Sequence, residues 1–226
     1  MDYINISKIE EESTKVREQL LYNRERFESV DPEYLISRYG PDLVRMSILP
    51  LGERILGRLR FEQGIGIIEI DSSHYEKDNI AKVNYTIAHE LGHYILHKGD
   101  FKNYMSGNFD KLGELNLSTE NPKIIAQRER EANRFAAALL IPRDEISELH
   151  TQFFKVPLGL QSNRFNLDLY RALGTEKTLE LIEKWSKIWK VSSFCLSIRM
   201  KELGLLNVYG HSFIRYGNDL DYIAGF

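Results

Sequence analysis

The sequence has one cysteine, no long apolar run and little excess charge, and each scarcity excludes a class of protein. Cys195 alone cannot form an internal disulfide, which favours a reducing compartment, and its apolar neighbours predict a buried, unreactive thiol. No stretch approaches the roughly 20 apolar residues that span a membrane. The formal net charge of −3 argues against general affinity for nucleic acid or acidic lipid. The first residues lack the basic and apolar regions of a secretory signal, so we expect a cytoplasmic protein.

The composition is that of a globular protein. Of the 226 residues, 42% are hydrophobic and 28% charged, which is enough for one substantial core with or without an appended subdomain. Ser7 and Glu10 form a capping box that predicts a helix over residues 7–29, and Asp31-Pro32 predicts a short helix that ends at Gly40.

A small sheet is predicted ahead of a series of helices. Glycine-punctuated apolar runs predict strands at 43–49, 54–61 and 65–70. Further helices are predicted from residue 75 or 78 to 97, and at 122–140, 142–150, 176–190 and 193–203. Residues 99–121 favour loop, whereas 151–174 and 207–226 show no pattern that assigns them.

The third predicted helix carries an H-E-x-x-H motif at His89, Glu90 and His93. A four-residue step on a helix returns side chains to the same face, so both imidazoles can bind one metal ion. The intervening glutamate is then placed to act on a water at the metal. The apolar residues around the motif predict a buried helix, and the simpler alternative is two ordinary histidines in a core.

A catalytic zinc needs a third protein ligand besides an open position for water. A histidine soon after the motif would require H-E-x-x-H-x-x-G-x-x-H, but Leu96 occupies the glycine position and Gly99 the histidine position. His97 lies one turn along the helix and is progressively misaligned with His89. It is therefore interpreted as a surface or helix-end histidine.

A glutamate on the next helix suits the third position better. Glu129 and Glu131 lie at opposite edges of an apolar face, which is formed by Ala132, Phe135, Ala136 and Leu139. Either carboxylate could turn towards the first helix, and either could equally be a solvated member of the charged run Q-R-E-R-E. Spacing alone leaves both residues open.

At this pair of motifs the chain resembles the ImmA/IrrE family of metallopeptidases. The resemblance is carried by T-I-A-H-E-L-G-H-Y-I-L-H (Thr86–His97) and by E-R-E-A-N-R-F-A-A-A-L-L-I-P (Glu129–Pro142). It covers residues 30–142 well and residues 185–206 weakly. It implies an α+β, zincin-like fold in which a small sheet packs on the H-E-x-x-H helix.

We also expect the chain to divide into three parts, and the resemblance implies a set of site residues. Residues 1–30 would form an N-terminal helix, 31–150 the zinc metallopeptidase core, and 151–226 a mainly helical C-terminal region. Zn²⁺ would be held by His89, His93 and Glu131, with Glu90 as general base and Glu129 as the alternative third ligand.

One departure from the thermolysin-like pattern affects the histidine supports. That pattern has an Asp four residues after the glutamate ligand, where it orients a zinc histidine, and Phe135 occupies this place after Glu131. Backbone carbonyls are then the default partners of the outer ring nitrogens.

The function implied by the resemblance is cleavage of a helix-turn-helix repressor, which relieves repression of a mobile element, phage or stress regulon. One alternative is an anti-repressor or regulator that binds without cutting. The helices at 176–190 and 193–203 have a helix-turn-helix outline, but apolar residues interleave with Arg199 and Lys201, so packing is favoured over direct DNA binding. Another alternative is a structural zinc in an interaction domain.

Overall fold

The computed structural model describes residues 5–20, 27–39, 44–51, 55–75, 80–104, 121–154 and 173–206. Within these ranges it has three strands, β1 (Val44–Leu49), β2 (Gly57–Glu62) and β3 (Ile65–Asp71). The first four helices are α1 (Ile6–Leu20), α2 (Pro32–Tyr39), α3 (Ser72–Tyr75) and α4 (Ile80–Tyr104). The others are α5 (Pro122–Leu140), α6 (Arg143–Phe153), α7 (Thr175–Ser186) and α8 (Ser193–Glu202). The α+β architecture expected from the sequence is confirmed.

The sheet has the order β1-β3-β2, so β3 is its central strand. β1 runs parallel to β3, and β2 is antiparallel to it. Ile68 and Ile70 of β3 are almost fully buried. Between the strands and α4 the approach is close at Gly66, where an added Cβ would lie 2.7 Å from the Tyr94 ring. The glycine therefore allows the motif helix to pack directly on the sheet.

Arg58 and Arg60 of β2 form an ionic cluster with Glu69 of β3. Glu69 is buried, and its two carboxylate oxygens accept hydrogen bonds from Arg58 Nε and Arg60 Nε, each at 2.6 Å. These bonds outweigh burial and hold the pKa of Glu69 below its ordinary value. The pairing satisfies a charge that would be costly to bury alone.

Helix α4 presents one apolar face to the sheet. Val83, Ile87, Leu91 and Tyr94 recur at helical spacing and are all buried. The Tyr94 ring stacks on Phe61 of β2, with centroids 6.2 Å apart. Because this face is anchored on the sheet, the histidine-bearing face of α4 has a fixed direction.

The histidine-bearing side of α4 lies close to α5 because α4 has a glycine, Gly92, where it meets Ala132 and Phe135. A Cβ added to Gly92 would lie 3.1 Å from Phe135 Cδ1 and 3.2 Å from the Ala132 carbonyl oxygen. Ala132, Phe135 and Ala136 are all fully buried. The alanine-rich face of α5 thus allows the backbones to approach until polar side chains at its edges reach α4.

Some predicted helix ends differ from the structure. α1 is described over Ile6–Leu20, and residues 27–29, which the sequence predicts as helix, are not helical, since Phe27 has a left-handed φ of 61°. The helix predicted for 176–190 ends at Ser186. α4 continues through Gly99 to Tyr104, because one glycine costs a helix only about 1 kcal/mol. The unassigned stretches 151–174 and 207–226 lie almost wholly outside the described residues.

The described residues fall into two compact units. The first contains the described residues through Leu139 except 27–29, and the second contains 27–29 with 140–206. In the second unit, buried Glu145 accepts hydrogen bonds from Trp189 Nε1 at 3.0 Å and from the Phe27 backbone N–H at 3.1 Å. The division expected at residues 30 and 150 stays a prediction.

The second unit also buries the arginine at the helix-turn-helix outline. Arg199 of α8 is 1% exposed and its Nε donates to the Ile141 carbonyl oxygen at 3.1 Å. Its role in the described structure is therefore to pack and to satisfy a carbonyl. Among the described helices, none has the length and apolarity needed to cross a membrane.

Candidate metal centre

Three side chains from α4 and α5 converge at one point. His89 Nε2 and His93 Nε2 are 3.1 Å apart. Glu129 Oε2 lies 3.3 Å from His89 Nε2, and Glu129 Oε1 lies 3.2 Å from His93 Nε2. Within the described ranges, this is the one group of three or more His, Cys, Asp or Glu ligand atoms lying within 4.8 Å of one another.

The convergence follows from local structure. His89 and His93 are one helical turn apart on α4, and the sheet fixes the direction of that face. Glu129 lies at the edge of the α5 apolar face and bridges both rings with its two oxygens. The histidine side chains are 14% and 12% exposed and that of Glu129 is 46% exposed, so the group opens to solvent on the glutamate side.

The outer nitrogen of His89 has a side-chain partner. His89 Nδ1 lies 2.9 Å from Asn133 Oδ1, which also accepts a hydrogen bond from the Tyr85 hydroxyl at 3.0 Å. Because an amide oxygen only accepts, His89 Nδ1 carries a proton, so the neutral ring has its lone pair on Nε2, which faces the other two residues. Asn133 thereby fixes both the ring orientation and the tautomer of His89.

The outer nitrogen of His93 has a different partner. His93 Nδ1 lies 3.2 Å from His97 Nδ1, and His97 Nε2 lies 3.0 Å from Glu131 Oε2. The His97 and Glu131 side chains are only 3% and 4% exposed. Gln127 Nε2 donates to the other Glu131 oxygen at 2.7 Å.

The structure places Glu131 away from the His89–His93 pair, and the identity of the third ligand stays a prediction. Glu131 lies against His97 rather than beside the pair, and Glu129 takes the place expected of the third ligand. The physical reason is that the two glutamates flank opposite edges of one helix face, and only Glu129 reaches the pair. His97 is likewise buried, which contradicts its interpretation as a surface or helix-end histidine.

Asn133 is the functional residue that sequence reasoning missed. Counting four residues from Glu131 leads to Phe135, which is a fully buried core residue. Counting four from Glu129 leads to Asn133, an amide in the place of the thermolysin-like Asp. The sequence thus contained a signal for both residues, and a side-chain amide replaces the backbone carbonyl expected as the partner of His89.

The three converging residues fit a divalent cation. His89 Nε2 and the two Glu129 oxygens present lone pairs to one another, which repel unless a proton or a cation lies between them. Ligands at 2.0–2.1 Å around a tetrahedral zinc would be roughly 3.3 Å apart, and the observed separations are 3.1–3.3 Å. Two imidazoles and a carboxylate are also a ligand set of catalytic rather than closed structural zinc sites.

Glu90 lies beside this group on α4. It is 8% exposed, and burial raises the pKa of its carboxyl to about 7, with a further contribution from the Glu129 charge. His89 and a backbone hydrogen bond at Leu59 of β2 oppose the increase. A carboxyl with a pKa near neutrality can both accept and release a proton at physiological pH.

The three converging residues have shifted pKa values in the metal-free protein. Burial lowers the pKa of His93 to about 4, so this ring is neutral at pH 7. For Glu129, burial is outweighed by hydrogen bonds with His89 and His93, which hold the pKa of the carboxyl far below its ordinary value. For His89, burial is outweighed by Glu129 and Glu90, and the pKa is raised. A neutral imidazole and an ionised carboxylate are the forms that bind metal, so the shifts of His93 and Glu129 favour binding, whereas a cation would compete with the proton of His89.

The comparison with known protein families agrees with this geometry. A family model, Peptidase M78, described as the IrrE N-terminal-like domain, matches residues 44–156, which include all of β1 to α6. The chain belongs to this family. The ImmA/IrrE resemblance expected from the two motifs is therefore confirmed, as is the assignment to a family of metallopeptidases. No curated protein matches the sequence.

Proposed function

We propose that this protein is a zinc-dependent endopeptidase whose metal is held by His89, His93 and Glu129. The observation that carries the proposal is the convergence of these three side chains beside a buried glutamate of the same H-E-x-x-H helix. Membership of the M78 family supports the peptidase activity. The partial exposure of Glu129 supports access of a substrate to the group.

Each residue has a defined task in this proposal. Zinc, when bound, supplies a Lewis acid that polarises a peptide carbonyl and brings the pKa of a water near 7. The Glu90 carboxylate accepts the proton of the attacking water and delivers it to the departing amine nitrogen. Asn133 holds His89 with Nε2 directed into the site. Burial of Glu90 keeps bulk water from competing for its proton.

The proposed substrate is a helix-turn-helix repressor, whose cleavage would relieve repression of a mobile element, phage or stress regulon. This part rests on the family resemblance alone. The competing proposal is an anti-repressor that binds without cutting. Burial of Arg199 against the Ile141 carbonyl argues against α8 as a DNA-reading helix and removes one support for a non-enzymatic regulator.

Replacement of Glu90 by Gln separates these functions. The variant should bind one zinc per chain, because Glu90 is not a ligand, and should lose about 100- to 10,000-fold in kcat/KM, the range typical of a general base. Zinc content by elemental analysis and cleavage of a candidate repressor, with and without chelator, would be measured. Wild-type cleavage by Glu90→Gln would refute the base, and binding of the repressor without any cleavage by the zinc-loaded wild type would favour the anti-repressor.

A further inference from the structure

The outer support of His93 is a buried pair that the peptidase chemistry does not itself require. His97 follows His93 by one turn of α4, and Glu131 faces it from α5. Both side chains are almost fully buried, although histidine and glutamate are costly to bury unless they are paired. A buried polar pair next to a metal ligand is typical of groups that orient that ligand.

The direction of each hydrogen bond can be traced inward from Gln127. Arg130 Nη2 donates to Gln127 Oε1 at 2.7 Å, which leaves the Gln127 amide nitrogen to donate to Glu131 Oε1. Glu131 Oε2 then accepts from His97 Nε2. A single ring proton on Nε2 of His97 leaves Nδ1 with a lone pair.

The same logic fixes the tautomer of His93. Because His97 Nδ1 accepts, His93 Nδ1 must donate across the 3.2 Å contact. His93 Nε2 is then left with its lone pair directed towards Glu129 and His89. This is the tautomer that a metal ligand at Nε2 requires.

We infer that His97 and Glu131 are positioning residues that hold His93 in its metal-binding orientation and tautomer. The inference rests on the proposed metal site and adds two residues to it. His89 is held by one amide from α5, whereas His93 is held by a relay of two side chains that begins on α4 and ends on α5. The relay thereby links the second ligand histidine to the same helix that supplies Glu129.

The zinc affinity of His97 variants tests the inference. His97→Leu removes both hydrogen bonds and should weaken zinc binding by about 10- to 100-fold. His97→Gln offers an amide oxygen to His93 and an amide N–H to Glu131, so its affinity should stay within roughly threefold of wild type. Affinity would be measured by competition with a chelator, and the melting temperature of each metal-free variant would be recorded. His150→Leu, which replaces a buried histidine of the second unit, is the matched control and should bind zinc normally.

Wild-type affinity in His97→Leu, or an equal loss in His97→Gln and His97→Leu, would overturn the inference. If His97→Leu does not fold, the zinc affinity of Glu131→Leu tests the inference instead. This substitution removes the acceptor that fixes His97 and should weaken zinc binding several-fold, while unchanged affinity would contradict the relay. Failure of the wild type to bind zinc, or normal binding by His93→Ala, would instead refute the metal site on which the relay depends.

The tautomers can also be observed directly in the zinc-loaded wild type. Two-bond ¹H–¹⁵N correlation spectra of ¹⁵N-histidine-labelled protein distinguish a protonated ring nitrogen from one with a lone pair. The relay requires a proton on Nε2 of His97 and on Nδ1 of His93. A proton on Nδ1 of His97 would overturn it whatever the affinities of the variants.

Discussion

Glu129 and Glu131 are two residues apart on one helix and have opposite environments. Glu129 is nearly half exposed and bridges His89 and His93, whereas Glu131 is buried and paired with His97 and Gln127. In the proposed function, the exposed carboxylate binds a metal that a substrate must reach. The buried carboxylate is positioned to fix a neighbouring side chain, because it is almost fully shielded from water and hydrogen-bonded to His97 and Gln127.

The contrast extends to the rest of the α4–α5 pair. On the Glu129 side lie Glu90 and the ligand nitrogens, where charged groups face one another and pKa values are displaced. On the Glu131 side, donors and acceptors alternate along the relay. The first arrangement favours binding a cation and moving a proton, and the second favours rigidity.

Matched glutamine variants of the two glutamates should give the largest difference. Glu129→Gln should weaken zinc binding by roughly 1,000-fold, because loss of a direct ligand must exceed the 10- to 100-fold typical of an outer partner. Glu131→Gln keeps an acceptor for His97 and should lose less than the several-fold expected for Glu131→Leu. Chelator competition would measure both, and a larger loss in Glu131→Gln would reverse the assignment of the two residues.

A smaller effect is expected on the stability of the metal-free protein. The pKa of Glu90 is raised from 4.5 to about 7 in the folded state, so ionisation of this carboxyl opposes folding as pH rises between those values. Glu90→Gln should therefore stabilise the metal-free protein increasingly from pH 4.5 to 7, by up to about 3 kcal/mol, with little further change above.

Urea unfolding of the metal-free proteins at pH 5 and pH 8 would measure this dependence. Glu176→Gln, at an exposed position of α7, is the control and should show no comparable change. Equal stabilisation by Glu90→Gln at both values of pH would show that ionisation of Glu90 does not oppose folding. The Glu129 side would then differ less from the Glu131 side than we propose.

Asn133 offers the smallest and most specific effect. Asn133→Leu removes the acceptor for His89 and should weaken zinc binding by about 10- to 100-fold, whereas Asn133→Asp keeps an acceptor and should bind within a few-fold of wild type. Comparing the loss of zinc affinity in Asn133→Leu with that in His97→Leu shows whether His89 and His93 depend equally on their hydrogen-bond partners. Normal zinc affinity in Asn133→Leu would show that His89 needs no side-chain partner.

Much of the fold could be predicted because its signals are local. Alternating and glycine-bounded apolar runs mark the strands, and the spacing of His89 and His93 places both on one helix face. The edges of the α5 face also identified Glu129 and Glu131 as the two candidates. Which edge faces the histidines depends on how α5 is rotated against α4, and that rotation is set by packing at Gly92, Ala132 and Phe135.

The burial of His97 could not be predicted from its own helix. On α4 it follows His93 by one turn, and the sequence predicts that the helix ends there. Its environment is set by Glu131, which is 34 positions away in the sequence. Residues that act through a partner on another helix have a weak local signal, whereas residues that share one face of one helix have a strong one.

The most direct test of the metal site is an anomalous difference map from crystals of the zinc-loaded protein. The account predicts one peak within bonding distance of His89 Nε2, His93 Nε2 and a carboxylate oxygen of Glu129, with Glu131 still hydrogen-bonded to His97. A peak coordinated by Glu131, or one that does not involve both His89 and His93, would contradict it.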